Sequence, residues 1–92
     1  MSKKRKLLEQ LLRLPPEMDY EQVEQVLGMF GFVCVRSRGS HQSFRHLESG
    51  RMLTVPKFGG QVVKRQYLKQ VREAIEDVTH QSLEELLERD DL

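Results

Sequence analysis

Cysteine is almost absent from this chain. Cys34 is the only one, so no disulfide can close within it. That thiol lies in a run of strand-forming residues and is expected to be a buried spectator rather than a nucleophile. Long apolar runs are missing too, and nothing approaches the roughly 20 residues that cross a bilayer. The start, MSKKRKLLEQLLRLPP, has a basic-then-apolar order, but Glu9, Gln10 and Arg13 interrupt it and no small-residue cleavage site follows. It reads as an amphipathic helix on a cytoplasmic protein without membrane contact. Three scattered histidines and one cysteine match no metal-ligand spacing, so no metal and no other cofactor is expected. Ser40 stands too close to His41 in sequence to form a nucleophile–base pair with it, and no acidic orienter is evident nearby, which disfavours serine-hydrolase chemistry. There is no internal repeat or low-complexity tract, and 92 residues leave room for one domain with a small core.

Acidic residues are scarce over one long stretch. From Arg36 to Arg72, nine basic side chains are opposed by Glu48 alone, a sum of +8. Residues 1–14 carry five basic and one acidic side chain, and residues 79–92 carry one basic and five acidic, so the overall +1 hides a strong segregation. Such a block suits an anionic partner, or else a solvated surface with its counter-charges elsewhere in the chain.

Leu7, Leu8, Leu11 and Leu12 share one helical stripe, and Pro15-Pro16 ends that helix, expected over 3–14. Asp19 and Gln22 have capping-box spacing and open a second helix. Val23, Val26, Leu27 and Phe30 are its buried stripe, with Gly31 closing it. Three strands follow: Phe32–Ser37, Gln42–Leu47 and Arg51–Val55, joined by turns at Gly39 and at Glu48-Ser49-Gly50. A period of 2 sends Phe44 and His46 to one face and His41, Ser43 and Arg45 to the other. Lys57-Phe58-Gly59-Gly60-Gln61 is a loop. A further helix over about Lys64–Val78 buries Leu68, Val71, Ile75 and Val78. It opens on Lys64-Arg65, the wrong charge for a helix start unless an anion is held there. Ser82 and Glu85 cap a last helix within 82–90, whose leucines are placed to cover those of the first.

The chemistry concentrates at Gly39-Ser40-His41. Histidine is the side chain that ordinarily titrates near neutrality. Here it stands at a hairpin shoulder among Arg36, Arg38 and Arg45, on the polar face of the sheet. Metal-free RNA cleavage needs a base for the 2′-hydroxyl proton, cations for the phosphorane, and a grip on the strand. His41 suits the first need, arginines and helix N–H groups the second, and Phe58 and Tyr67 could stack on a base, Tyr67 being equally suited to the core. His46, beside Phe44, and His80, in a linker, are expected to be non-catalytic. Composition alone leaves His41 open to a purely structural role at the turn.

The residues carry a resemblance as well. GFVCVRSRGSHQSFRH followed by RMLTVPKFGGQVVKRQYLKQV resembles the HicA toxins of bacterial toxin–antitoxin pairs. Gly31, Phe32, Arg36, Gly39, Ser40, His41, Thr54, Val55, Pro56, Gly59, Lys64 and Leu68 match their pattern, within residues 20–78. The resemblance implies an α+β, dsRNA-binding-domain-like fold: a three-stranded antiparallel sheet with two helices on one face, in the order α-β-β-β-α. The terminal helices are extensions of that one domain. It further implies a messenger-RNA endoribonuclease with His41 as catalytic histidine. A HicB-like antitoxin would cover the active surface. On the reading of the residues themselves, RNA would be held by Arg36, Arg38, Gly39, Ser40, Arg45, Lys57, Phe58, Lys64 and Arg65. Many members carry a second histidine where this chain has Phe58, so no second acid–base group is supplied there. The competing expectation is a non-catalytic RNA-binding or partner-binding module on the same fold.

Overall fold

The computed structural model describes residues 3–89, so Asp90, Asp91 and the end of the expected 82–90 helix lie outside the described residues. In chain order the elements are α1 (Lys3–Arg13), β1 (Glu17–Asp19), α2 (Tyr20–Met29), β2 (Phe32–Arg38), β3 (His41–His46), β4 (Met52–Pro56), β5 (Val62–Lys64), α3 (Arg65–Thr79) and α4 (Leu83–Leu87). The architecture is α+β. Strands β2, β3 and β4 form an antiparallel sheet in that order, and α2 and α3 lie on its inner face. The sequence gives the sheet its two faces by alternation. Phe32, Phe44, Leu53 and Val55 point inward and join Val23, Val26, Leu27, Leu68, Val71, Ala74 and Ile75 in one buried cluster. Phe44 is fully buried at its centre, and loss of its ring would cost about 3–5 kcal/mol.

Sequence reasoning missed one element pair. Residues 17–19 and 62–64 carry no strand pattern, yet they pair as a two-stranded antiparallel sheet, Glu17 with Lys64, Met18 with Val63 and Asp19 with Val62. Met18 and Val63 bury against the helices. The clip ties together the segments that lead into α2 and α3, which leave it at opposite ends. Asp19 precedes α2, and its N–H donates to Gln22 Oε1 at 3.4 Å, the reciprocal arm of the expected capping box.

Helix α1 packs on α2, α3 and α4, remote from the outer sheet face. Leu7, Leu8 and Leu11 meet Leu83 and Leu86, as the leucine patterns anticipate. Arg5 donates to the main-chain carbonyls of Leu87 and Arg89, satisfying two groups at the α4 terminus. Ser82 caps α4 by accepting from the Glu85 N–H at 3.1 Å, while the Glu85 carboxylate accepts from the Ser82 N–H at 3.0 Å. Those backbone and hydroxyl contacts hold the Glu85 carboxyl below its ordinary range.

Candidate functional site

Strands β2 and β3 are joined by Gly39-Ser40 alone, since Arg38 pairs directly with His41. Gly39 has φ +55° while Ser40 stays at negative φ, the pattern of a type II′ turn, whose twist matches the flanking strands. The tip is braced from two directions. Gln42, 4 % exposed on the inner face, donates from Nε2 to the Gly39 carbonyl at 3.2 Å. The Lys57 N–H donates to the Ser40 carbonyl at 2.6 Å, tying the chain after β4 to the turn. Neither brace was expected from sequence. A glutamine on an otherwise apolar strand face was the signal for the first.

Register places the outer-face residues in three rows across the strands. Arg38, His41 and Pro56 form one; Arg36, Ser43 and Thr54 the next; Val33, Arg45 and Met52 the third. His41 is exposed, and among the described residues its ring has no hydrogen-bond partner. Arg36, Arg38 and Arg45 are exposed on the same face, and none has an ion-pair partner among the described residues. Within one sheet face the fold thus gathers an accessible imidazole, three free guanidinium groups and two hydroxyls. Two concavities, of about 420 and 340 Å³, lie instead along α1 and contain none of these residues. The outer face is an open surface, suited to an extended anion rather than an enclosed small molecule.

The structure sorts the other basic residues differently. Lys64 bonds Glu17 at 2.8 Å across the β1–β5 clip, and Arg65 Nε donates to the Leu14 carbonyl at 2.8 Å. Both side chains of the expected anion-binding helix start thus have partners within the fold, while both residues stay exposed. The linker after α1 supplies the negative ends that sequence could not place. Arg51 pairs with Asp77 at 3.0 Å, and Arg72 lies near Glu76 and Glu84. The Lys57 ammonium sits 4.5 Å over the Tyr20 ring. Phe58 is 41 % exposed and its ring lies 6.0 Å from that of Tyr67.

The other two histidines stand in different settings, His46 buried and His80 exposed. His46 is buried against the Phe32 ring at 5.1 Å, and its Nδ1 accepts from the Ser49 N–H at 3.1 Å, which leaves the remaining proton on Nε2. Its ring edge lies 3.2 Å from where a Cβ on Gly31 would stand, so this histidine belongs to the packing. His80 is the left-handed cap of α3. Cys34 corrects an expectation: it is exposed rather than buried. Its register points it inward beside Phe44, but β2 is an edge strand and the helical layer covers only Phe32 of it.

Among the described residues no group of three or more His, Cys, Asp or Glu is arranged to hold a metal ion, and no helix is long and apolar enough to cross a membrane. Comparison with curated proteins and with solved structures gave no match. Comparison with protein families did: the model of the HicA toxin of bacterial toxin–antitoxin pairs matches residues 20–77, from the first residue of α2 almost to the end of α3. That span takes in the sheet, the Gly39-Ser40 turn and His41, and on it the chain belongs to the HicA toxin family.

Proposed function

We propose that this toxin is a metal-independent endoribonuclease acting on messenger RNA in the cytoplasm, with His41 as its general base. The observation that carries the reading is an exposed imidazole, in register between Arg38 and Pro56, on a face whose three arginines, like the imidazole, have no side-chain partner among the described residues. His41 takes the proton from a ribose 2′-hydroxyl. The 2′-oxygen attacks the adjacent phosphorus, the bond to the 5′-oxygen of the next nucleotide breaks, and that oxygen takes a proton from solvent. The products are a 2′,3′-cyclic phosphate and a 5′-hydroxyl end. Arg36, Arg38 and Arg45 stabilise the charge that gathers on the phosphorane oxygens, where fixed cations act without reorganisation. Gly39 and Ser40 bring the backbone of the turn close to the strand, and Lys57 adds charge at its edge. With Phe58 in the loop, no second imidazole shares this surface. A positioned acid–base group contributes about 10²–10⁴-fold.

The toxin's cognate antitoxin, of the HicB kind, is proposed to lie across the same face as an acidic partner contacting Arg36, Arg38 and Lys57. Charge pairing would speed the encounter. RNA and antitoxin would then exclude one another.

The test is His41→Ala. Cleavage of single-stranded RNA should fall by at least about 10²-fold while the thermal midpoint holds, because the ring is exposed and unbonded. Wild-type products should carry cyclic phosphate ends and persist in EDTA. Full activity in the variant, or activity lost to EDTA, would refute the mechanism. RNA binding with no cleavage by the wild type would favour the non-catalytic module.

A further inference from the structure

Phe58 stands out on the loop that follows β4. An apolar ring left 41 % exposed forgoes much of the burial that stabilises its kind. It does so on a loop whose backbone is fixed at each end. The Lys57 N–H donates to Ser40, the Phe58 N–H to the Val62 carbonyl at 2.9 Å, the Gln61 N–H to the Phe58 carbonyl at 2.9 Å, and the Tyr20 N–H to the Gln61 carbonyl at 2.8 Å. The ring is thus held out rather than trailing. Beside it lies Tyr67 of α3, ring centroids 6.0 Å apart and tilted by 30°, so the two rings pack together while Phe58 stays part-exposed.

We infer that the Phe58–Tyr67 ring pair is a platform on which an unpaired nucleobase stacks, two residues beyond the strand position that faces His41. This rests on the reading of the outer face as an RNA-binding surface. Pro56 pairs with His41 in register, so Phe58 lies within about 7 Å of chain from that row. A base on the platform would therefore flank the bond that His41 addresses. In sequence the ring is flanked by Lys57, Gly59, Gly60 and Gln61, so its own loop adds no second large apolar side chain. That suits the flat face of one base and is a poor match to the broader apolar anchors of a protein interface. Stacking is tolerant of base identity, since every base offers a π face, and favours those that stack strongly.

The probe is a short 2′-O-methyl oligoadenylate, compared with its fully abasic counterpart, which keeps every phosphate. Because the 2′-oxygen is blocked, wild-type protein binds without cutting. The ratio of the two affinities isolates what the bases contribute. In the wild type the intact strand should bind more tightly. In Phe58→Ala and Phe58→Leu that ratio should shrink by roughly tenfold, while Phe58→Trp preserves it. Thermal melting of each variant checks the fold, and Phe58→Leu keeps apolar bulk if the alanine variant fails to fold. An unchanged ratio, or equal weakening of both strands, overturns the platform. So does a Phe58→Ala protein that binds RNA fully but captures the antitoxin poorly, which would make the ring a protein anchor. Loss of the ribonuclease reading is seen separately, as wild-type protein that shows the ratio yet leaves unmodified RNA uncut.

Discussion

The Lys57 N–H donates to the Ser40 carbonyl at 2.6 Å, and through that one bond the loop after β4 is fastened to the turn that presents His41. With Gln42 bracing Gly39 from the inner face, the turn is held wholly by main-chain acceptors. The His41 ring is consequently positioned without being used as a fastening. A group meant to exchange protons with a ligand has to be held in this way, because any protein partner would compete for it.

Two glycines near the site should respond unequally to alanine. At Gly39, φ is +55° but an added Cβ meets nothing within 4 Å, so only the left-handed penalty of about 1–2 kcal/mol applies. At Gly31, φ is +87° and the Cβ would also press on the His46 ring at 3.2 Å. Gly31→Ala should lower the denaturation midpoint clearly more than Gly39→Ala. Equal losses would show that the close approach to His46 is without consequence.

The two pairs of basic residues should separate in salt titrations. Replacing Arg36 and Arg38 by Gln removes two free cations, and the slope of log affinity for single-stranded RNA against log salt should flatten by about 1.4. Replacing Lys64 and Arg65 by Gln should leave that slope alone and lower thermal stability, because these side chains hold Glu17 and the Leu14 carbonyl. A flattened slope in the second variant would return Lys64 and Arg65 to the RNA surface.

Tyr20 links stability to alkaline pH. Burial first, and then the charge of Glu24, push its phenol above the ordinary tyrosine range. A group whose folded-state value is raised stabilises fully below its unfolded value, near 10, and loses that contribution as pH rises beyond it. Stability should therefore decline above about pH 10, and Tyr20→Phe should lessen the decline. The same decline in the variant would assign it to other groups.

The annex of α1 and α4 should matter for folding alone. Leu83 is fully buried against the α1 leucines, and Leu83→Ala should cost about 2–5 kcal/mol in urea denaturation. RNA binding per folded molecule should be unaffected, since α1 packs on α2, α3 and α4. Weaker binding at a temperature where the variant is still folded would give the annex a direct role.

Much of the sheet was legible because its information is local. The alternation from Gln42 to His46 assigns faces to both sides of β3, and a tight glycine turn fixes the register of its partner. That was enough to put His41, Ser43 and Arg45 together, with His46 inside. The β1–β5 clip was invisible for the opposite reason. Three-residue strands carry no periodicity, and their partners stand more than 40 residues apart in sequence. The same non-locality hid the engagements of Lys64 and Arg65, whose sign was evident and whose partners were not. Cys34 was misjudged because alternation tells which face a residue takes, not how far the opposing layer extends.

The register shift between Cys34 and Arg36 leaves Val35 as an extra residue on β2, which is an edge of the sheet. An edge strand with exposed Val33 and Val35 would ordinarily invite a second copy to add its own strand, and then a third. The bulge breaks the row of free N–H and C=O groups halfway along, and Arg36 and Arg38 charge the remainder. Arg36 and Arg38, proposed to meet the RNA, would thus also guard this edge against pairing between copies, and mutants that neutralise them should lose colloidal solubility.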